Sequence, residues 1–187
     1  SIMVLAPILA DPLIAMDPLF ASDALVFGNA ATFAGWAAGS ILAGGLSDKF
    51  GRKSVVVAAG CLGSAGVLAG ALAPNAAVLV AGRFVGGLSL GGTVGQGYVL
   101  VYESLARARS ATLSTELNVL WVGTVALIAG CHTLELPWRV EQGLQGGFVG
   151  LCALAVALLA VETPTYLALS GRRDDATAAV ERITRLN

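Results

Sequence analysis

Residues 44–53, Gly44-Gly45-Leu46-Ser47-Asp48-Lys49-Phe50-Gly51-Arg52-Lys53, gather four charges and three glycines where two uncharged stretches meet, Leu25 to Leu46 and Ser54 to Ala73. A helix rises about 1.5 Å per residue, so roughly 20 apolar residues cross the ~30 Å of bilayer hydrocarbon. The segment therefore predicts two spanning helices joined by a very short charged turn. Its glycines permit the reversal, Asp48 is expected to accept hydrogen bonds from a neighbouring helix N-terminus, and Arg52 offers a planar fork to a carboxylate. A plain orientation signal needs Lys and Arg and does not call for Asp48, Gly51 and this order.

Outward from this turn lie three more runs of spanning length, Ala76 to Tyr102, Thr112 to Cys131 and Gly143 to Val161. Ser1 to Ala10 is apolar but covers about half a bilayer, so the chain is expected to begin inside a clipped first helix. The expected organisation is a transmembrane bundle over residues 1–162, with spans near 1–10 (partial), 25–46, 54–73, 76–102, 112–131 and 143–161, and a tail over 163–187. Within the tail, Arg173 to Leu186 after Gly171 reads as a short amphipathic helix. Ala176, Ala179, Val180 and Ile183 share a face, Asp174 and Asp175 sit at the positive end of the dipole, and Glu181 can pair with Arg185.

Composition excludes the main rival classes. The 187 residues are 56% hydrophobic and 12% charged, with mean hydropathy +0.80; a soluble domain carries about 25% charge. Net charge is −1 with no basic stripe, so no nucleic-acid partner is expected. The 24 glycines sit inside apolar runs, where membrane helices use small residues for close approach. Cys61, Cys131 and Cys152 are far apart and read as small packing residues; no metal or cofactor site is expected. His132, the single histidine, has no Cys, His or acid at metal spacing.

Side assignment gives the orientation. Lys49, Arg52, Lys53, Arg107, Arg109, Arg172, Arg173, Arg182 and Arg185 fall on one side, nine of the eleven basic residues. Arg139 falls on the other, with Asp11, Asp17, Asp23, Glu135 and Glu141, while Arg83 lies within a span. The nine-residue side is expected to be cytoplasmic, with both chain ends on it.

The segment Gly44 to Lys53 resembles the loop signature of the major facilitator superfamily, G-x-L-[GSA]-D-[RK]-x-G-R-[RK], at every defined position: Gly44, Leu46, Ser47, Asp48, Lys49, Gly51, Arg52 and Lys53. Arg83 to Gly92 is similar to the R-x-x-x-G-x-x-x-G-G pattern of the fourth helix in synaptic-vesicle-protein-like, organic-ion and sugar members. Glu103, Trp138-Arg139, and Glu162-Thr163-Pro164-Thr165-Tyr166-Leu167 followed by Gly171-Arg172 extend the likeness in order along nearly the whole chain. The sequence departs from the pattern at Ala106, at Arg109-Ser110, and at Val161 and Thr165. The resemblance implies an all-α polytopic membrane helix bundle, the six-span N-terminal half of a major-facilitator fold with its first helix truncated. It also implies a cytoplasmic charge network of Asp48, Arg52, Glu103, Arg109 and Glu162.

The fourth span can also be read from its periodicity. At 100° per residue, Gly82, Gly86, Ser89, Thr93 and Gln96 share an arc, and Gly87, Gly91 and Gly95 form a ridge on the other side. The ridge is expected to pack on another helix, as are the pairs Gly35 with Gly39, Gly66 with Gly70 and Gly146 with Gly150. For the polar arc two readings stand, an aqueous cavity wall or hydrogen bonding to neighbouring backbone. Arg83, about 10 Å deep, either serves a site or snorkels to the interface. Glu116 either carries a proton or pairs with substrate, or else joins the cytoplasmic charges, and Asn118, two residues on, cannot share its face. Trp121 and Trp36 read as packing aromatics, Trp138 as an interfacial anchor.

The expected function is secondary transport of a small solute (an organic ion, sugar or similar metabolite) by alternating access. The expected partners are that solute, the lipid bilayer and the missing C-terminal six-helix half. A non-transporting membrane subunit or receptor of the same fold is the alternative. An intramembrane serine protease built on Ser64 and His132 is the minor one, weakened by Leu62 in place of the glycine of a nucleophile elbow.

Overall fold

The computed structural model describes residues 24–103 and 136–186, with Glu116, Val119, Val122, Gly123 and Gly130. The expected partial first span lies outside the described residues, as does most of the span expected over 112–131. Six helices are described, α1 (Ala24–Phe50), α2 (Arg52–Ala71), α3 (Ala76–Glu103), α4 (Trp138–Leu159), α5 (Pro164–Leu169) and α6 (Arg173–Leu186), and no strand occurs among the described residues.

Helix α3 is the centre of the bundle, packed between α1 and α2, and α2 in turn packs on α4. Lipid-facing helices gain nothing from hydrophobic sorting against hydrocarbon, so close backbone approach decides which faces meet. Glycines supply it in reciprocal pairs. A methyl at Gly35 or Gly39 would strike the carbonyls of Phe84 and Leu88, and one at Gly87 or Gly91 would strike those of Thr32 and Trp36. On the other side of α3, Gly82 lies against Gly66 and Gly70 of α2. Across the α2–α4 contact, Gly146 meets Leu68, Gly150 meets Ser64, and Gly60 meets Ala153. Of the expected ridge, Gly95 alone touches nothing within 4 Å.

Punctuation between helices is local. Asn75 Oδ1 accepts from Val78 N at 3.0 Å and caps α3 after Pro74. Thr163 caps α5 through Tyr166 N, with Pro164 at the first helical position. Gly171, at φ 79°, ends α5, and Arg172 N returns to Leu167 O at 3.0 Å. This short α5 escapes the periodicity reading because six residues carry too little pattern.

The outward faces are apolar: Ile41, Leu72, Leu151, Leu158 and Leu159 are each at least 67% exposed. That inversion of a soluble core marks surfaces made for lipid or for further protein. Helices α2, α3 and α4 are long and apolar enough to cross a membrane. The expected span 25–46 falls within the 27-residue helix α1, whose only charges, Asp48 and Lys49, lie in its last turn.

Three further expectations are corrected. The joint between α1 and α2 is no loop, since residues 44–50 are helical and Gly51 alone breaks the chain. Helix α4 starts at Trp138, five residues before Gly143, because Glu141 and Gln142 are buried (3% and 5% exposed) rather than displayed at a boundary. Cys61 and Cys152 lie on exposed faces instead of in contacts. Helix α6 keeps its expected form, with Asp174 and Asp175 in its first turn and Ala179 buried, and Asp175 also pairs with Arg172 at 2.7 Å.

Gly91→Val is expected to separate α3 from α1 and lower stability by about 1–3 kcal/mol. Gly95→Val, in open space, is expected to stay within about 0.5 kcal/mol. Thermal unfolding of the two detergent-solubilised variants compares them.

Candidate functional site

Gly51 adopts φ 92°, ψ 154°, a backbone state that L side chains avoid, and it leaves the N-terminus of α2 without a side-chain cap of its own. The cap comes from far along the chain. Glu162 Oε1 accepts from Lys53 N and from Thr163 N, both at 3.1 Å. A methyl at Gly51 would collide with Glu162 Oε2 and crowd Tyr166. Tyr166 donates its hydroxyl to Lys49 O at 3.0 Å, in the last turn of α1. One segment, residues 162–166, thus closes both open helix ends at the Gly51 joint, and its carboxylate faces the positive end of the α2 dipole. The sequence reading gave this cap to Asp48. Asp48 is instead helical and 73% exposed, and Glu162 takes the role.

Arg52, the first residue of α2, lies between two carboxylates. Its Nη2 is 3.5 Å from Asp48 Oδ1 and its Nε is 3.9 Å from Glu103 Oε1, at the end of α3. Nη1 also reaches Ser47 O at 3.5 Å. These are ion contacts at long range. Arg52 Nε and Glu103 Oε2 are buried with no hydrogen-bond partner among the described residues. Coulomb attraction therefore holds α1, α2 and α3 at this end while hydrogen-bonding capacity stays open. Asp48, Lys49, Arg52, Tyr166, Leu169 and Ser170 line a polar recess of about 240 Å³ beside it. Arg109 lies outside the described residues.

The remaining candidates are dispersed. Ser89 is 4% exposed and packs against Gly63 of α2, and Gly86 lies near Val67. Thr93 spends its hydroxyl on Ser89 O at 2.8 Å. Thr93 and Gln96 are half-buried. Arg83 is half-buried, with no ion pair or hydrogen bond to its guanidinium among the described residues. Glu116 is helical and exposed, and Asn118 and His132 lie outside the described residues. Ser64 donates to Gly146 O at 2.8 Å, so its hydroxyl serves the α2–α4 contact. Tyr166 was missed as a member of the joint; the aromatic of the 162–167 segment was the signal that pointed to it.

An apolar helix bundle with an Arg shared between two acids at a one-residue joint is the architecture of an integral membrane protein. Residues 22–187 match the family model described as sugar (and other) transporter, and the chain belongs to that major-facilitator family. It is 33% identical over 82% of its length to a niacin transporter of Acinetobacter baylyi, covering 35% of that protein. It is 31% identical over 77% of its length to polyol transporter 5 of Arabidopsis thaliana, covering 28%. Likeness to the arabinose-proton symporter of Bacillus subtilis is 26% over 80% of the chain and 34% of the symporter. The chain spans about a third of the length of these relatives. They are named as transporters or symporters.

Removing the remote cap tests the joint. Glu162→Ala is expected to cost about 1 kcal/mol by exposing the α2 N-terminus, and Glu162→Gln less, since the amide oxygen still accepts. Thermal midpoints of the two variants give the comparison.

Proposed function

We propose that this chain supplies one wall of a secondary transporter for a small polar metabolite, working by alternating access with a second six-helix half. The observation that carries the reading is Arg52 held at 3.5 and 3.9 Å by Asp48 and Glu103, with Arg52 Nε and Glu103 Oε2 left without hydrogen-bond partners among the described residues. Contacts this loose are exchanged at small cost, and a difference in contacts between two states is what biases a conformational equilibrium. The Gly51 joint is the cytoplasmic latch, with Arg109 and Glu162 as its further members. Lys49 and Lys53 beside it fix its side by the excess of positive charge. The bundle over 1–162 carries the path and the segment over 163–187 lies at the cytoplasmic surface. Both ends face the cytoplasm. Ser89, Thr93, Gln96, Arg83, Glu116 and Asn118 are the candidates for solute or ion contact. Relatives named for niacin, polyols and arabinose favour a solute with several polar groups.

In the full-length protein, Arg52→Glu is expected to lower uptake into vesicles about tenfold, with surface abundance retained, as a coupling of 1–3 kcal/mol implies. Unchanged uptake removes the joint from the mechanism. A membrane-impermeant amine reagent is expected to label Lys49 and Lys53 in inside-out vesicles and to spare them in right-side-out ones. The opposite pattern reverses the orientation.

A further inference from the structure

The end of α2 remote from Gly51 carries a second clasp, of the opposite charge. The last carbonyls of a helix lack intrahelical partners and form the negative pole of its dipole. Here Leu72 N and Ala73 N return to Leu68 O and Gly70 O, at 3.1 and 3.2 Å. The carbonyls of Ala71 and Ala73 are taken by one group, Arg139 Nη1, at 3.0 Å each. Arg139 is the second residue of α4, and its guanidinium lies 4.5 Å over the ring of Trp138, which is 5% exposed. A planar cation stacked on a buried aromatic is fixed in direction as well as position. The turn it holds is closely packed, with Ala73 and Ala76 fully buried and Leu79 1% exposed.

The two clasps belong to the flanks of one helix. Arg139 opens α4 and Glu162 follows its end by three residues. Between them, Ser64 hydrogen-bonds to Gly146 O, and Gly60 meets Ala153. Helix α2 is thus tied to α4 at its start, its middle and its end, with an anion at its positive pole and a cation at its negative pole.

We propose that Arg139 is a positioning residue that makes α2 and α4 a single strut and fixes the Ala71–Asn75 turn, and with it the register at which α3 begins. This rests on the transport reading for its effect on turnover and stands without it for its effect on structure. The strut moves as one body, so Arg139 governs the rate of the conformational change and leaves solute affinity alone. Arg83, two turns into α3, inherits its depth from that turn.

The experiment uses the full-length protein carrying Arg139→Ala or Arg139→Lys. Amide hydrogen exchange is read at Leu72, Ala73, Val78 and Leu79, and uptake kinetics are read in vesicles. Arg139→Ala is expected to speed exchange at these amides about tenfold, with α1 and the body of α3 still protected. Maximal uptake is expected to fall about fivefold with KM within about twofold, the mark of a residue acting on a conformational step. Arg139→Lys, which reaches a carbonyl but cannot fork or stack as a plane, is expected to fall between. Wild-type exchange in folded Arg139→Ala overturns the proposal, as does loss of protection throughout the bundle in both variants. Should alanine prevent folding, wild-type exchange and uptake in Arg139→Lys also overturn it. A full-length protein that moves no solute refutes the transport reading, and the exchange comparison still decides the strut.

Discussion

Everything in this bundle depends on backbone approaching backbone along α3. With Gly87 and Gly91 turned to α1 and Gly82 turned to α2, α3 meets both neighbours at distances that no side chain would permit. In a lipid setting that approach is the main source of cohesion, because apolar side chains are as well solvated by hydrocarbon as by one another. Helices α1 and α2 touch each other little away from their joint. They leave an apolar groove of about 400 Å³, lined by residues such as Leu42, Phe50, Ala58 and Leu62. The central helix holds the group together, and the charged residues act on a frame already set.

Much of that frame was legible in the sequence because the small residues recur at helical spacing. The pairs Gly35 with Gly39, Gly66 with Gly70 and Gly146 with Gly150 all fall in helix contacts, as their four-residue interval implied. The amphipathic helix over Arg173 to Leu186 matches its expected limits. Errors arose where a residue's partner is distant in the chain. Nothing near Gly51 announces that its cap is Glu162, more than a hundred residues on, so the role went to the nearest acid, Asp48. Glu141 and Gln142 looked like a water-facing boundary because polarity was read without burial. The polar arc on α3 illustrates a third difficulty. Periodicity put Gly82, Gly86 and Ser89 together correctly, but whether a small polar face meets a cavity or a helix depends on a neighbour that periodicity does not name; here Gly82 and Ser89 meet α2.

The joint itself combines two kinds of interaction with different stiffness. The bonds from Glu162 and Tyr166 are short, directional and tied to backbone, so they hold the geometry of Gly51 whatever the rest of the protein does. The contacts of Arg52 are long, and the one to exposed Asp48 changes at little cost. Under the proposed latch, a rigid pivot beside a soft electrostatic contact would let the ends of three helices separate without unravelling any of them.

The glycine ridge of α1 bears on how the protein is made. Alone in lipid, α1 would present Gly35 and Gly39 as a furrow that hydrocarbon fills poorly, its Thr32 and Ser40 hydroxyls already spent on its own backbone. Its favourable surface is the glycine ridge that fits α3, and α3 is synthesised later. Close packing of α1 therefore waits until α3 emerges from the ribosome and offers the matching groove.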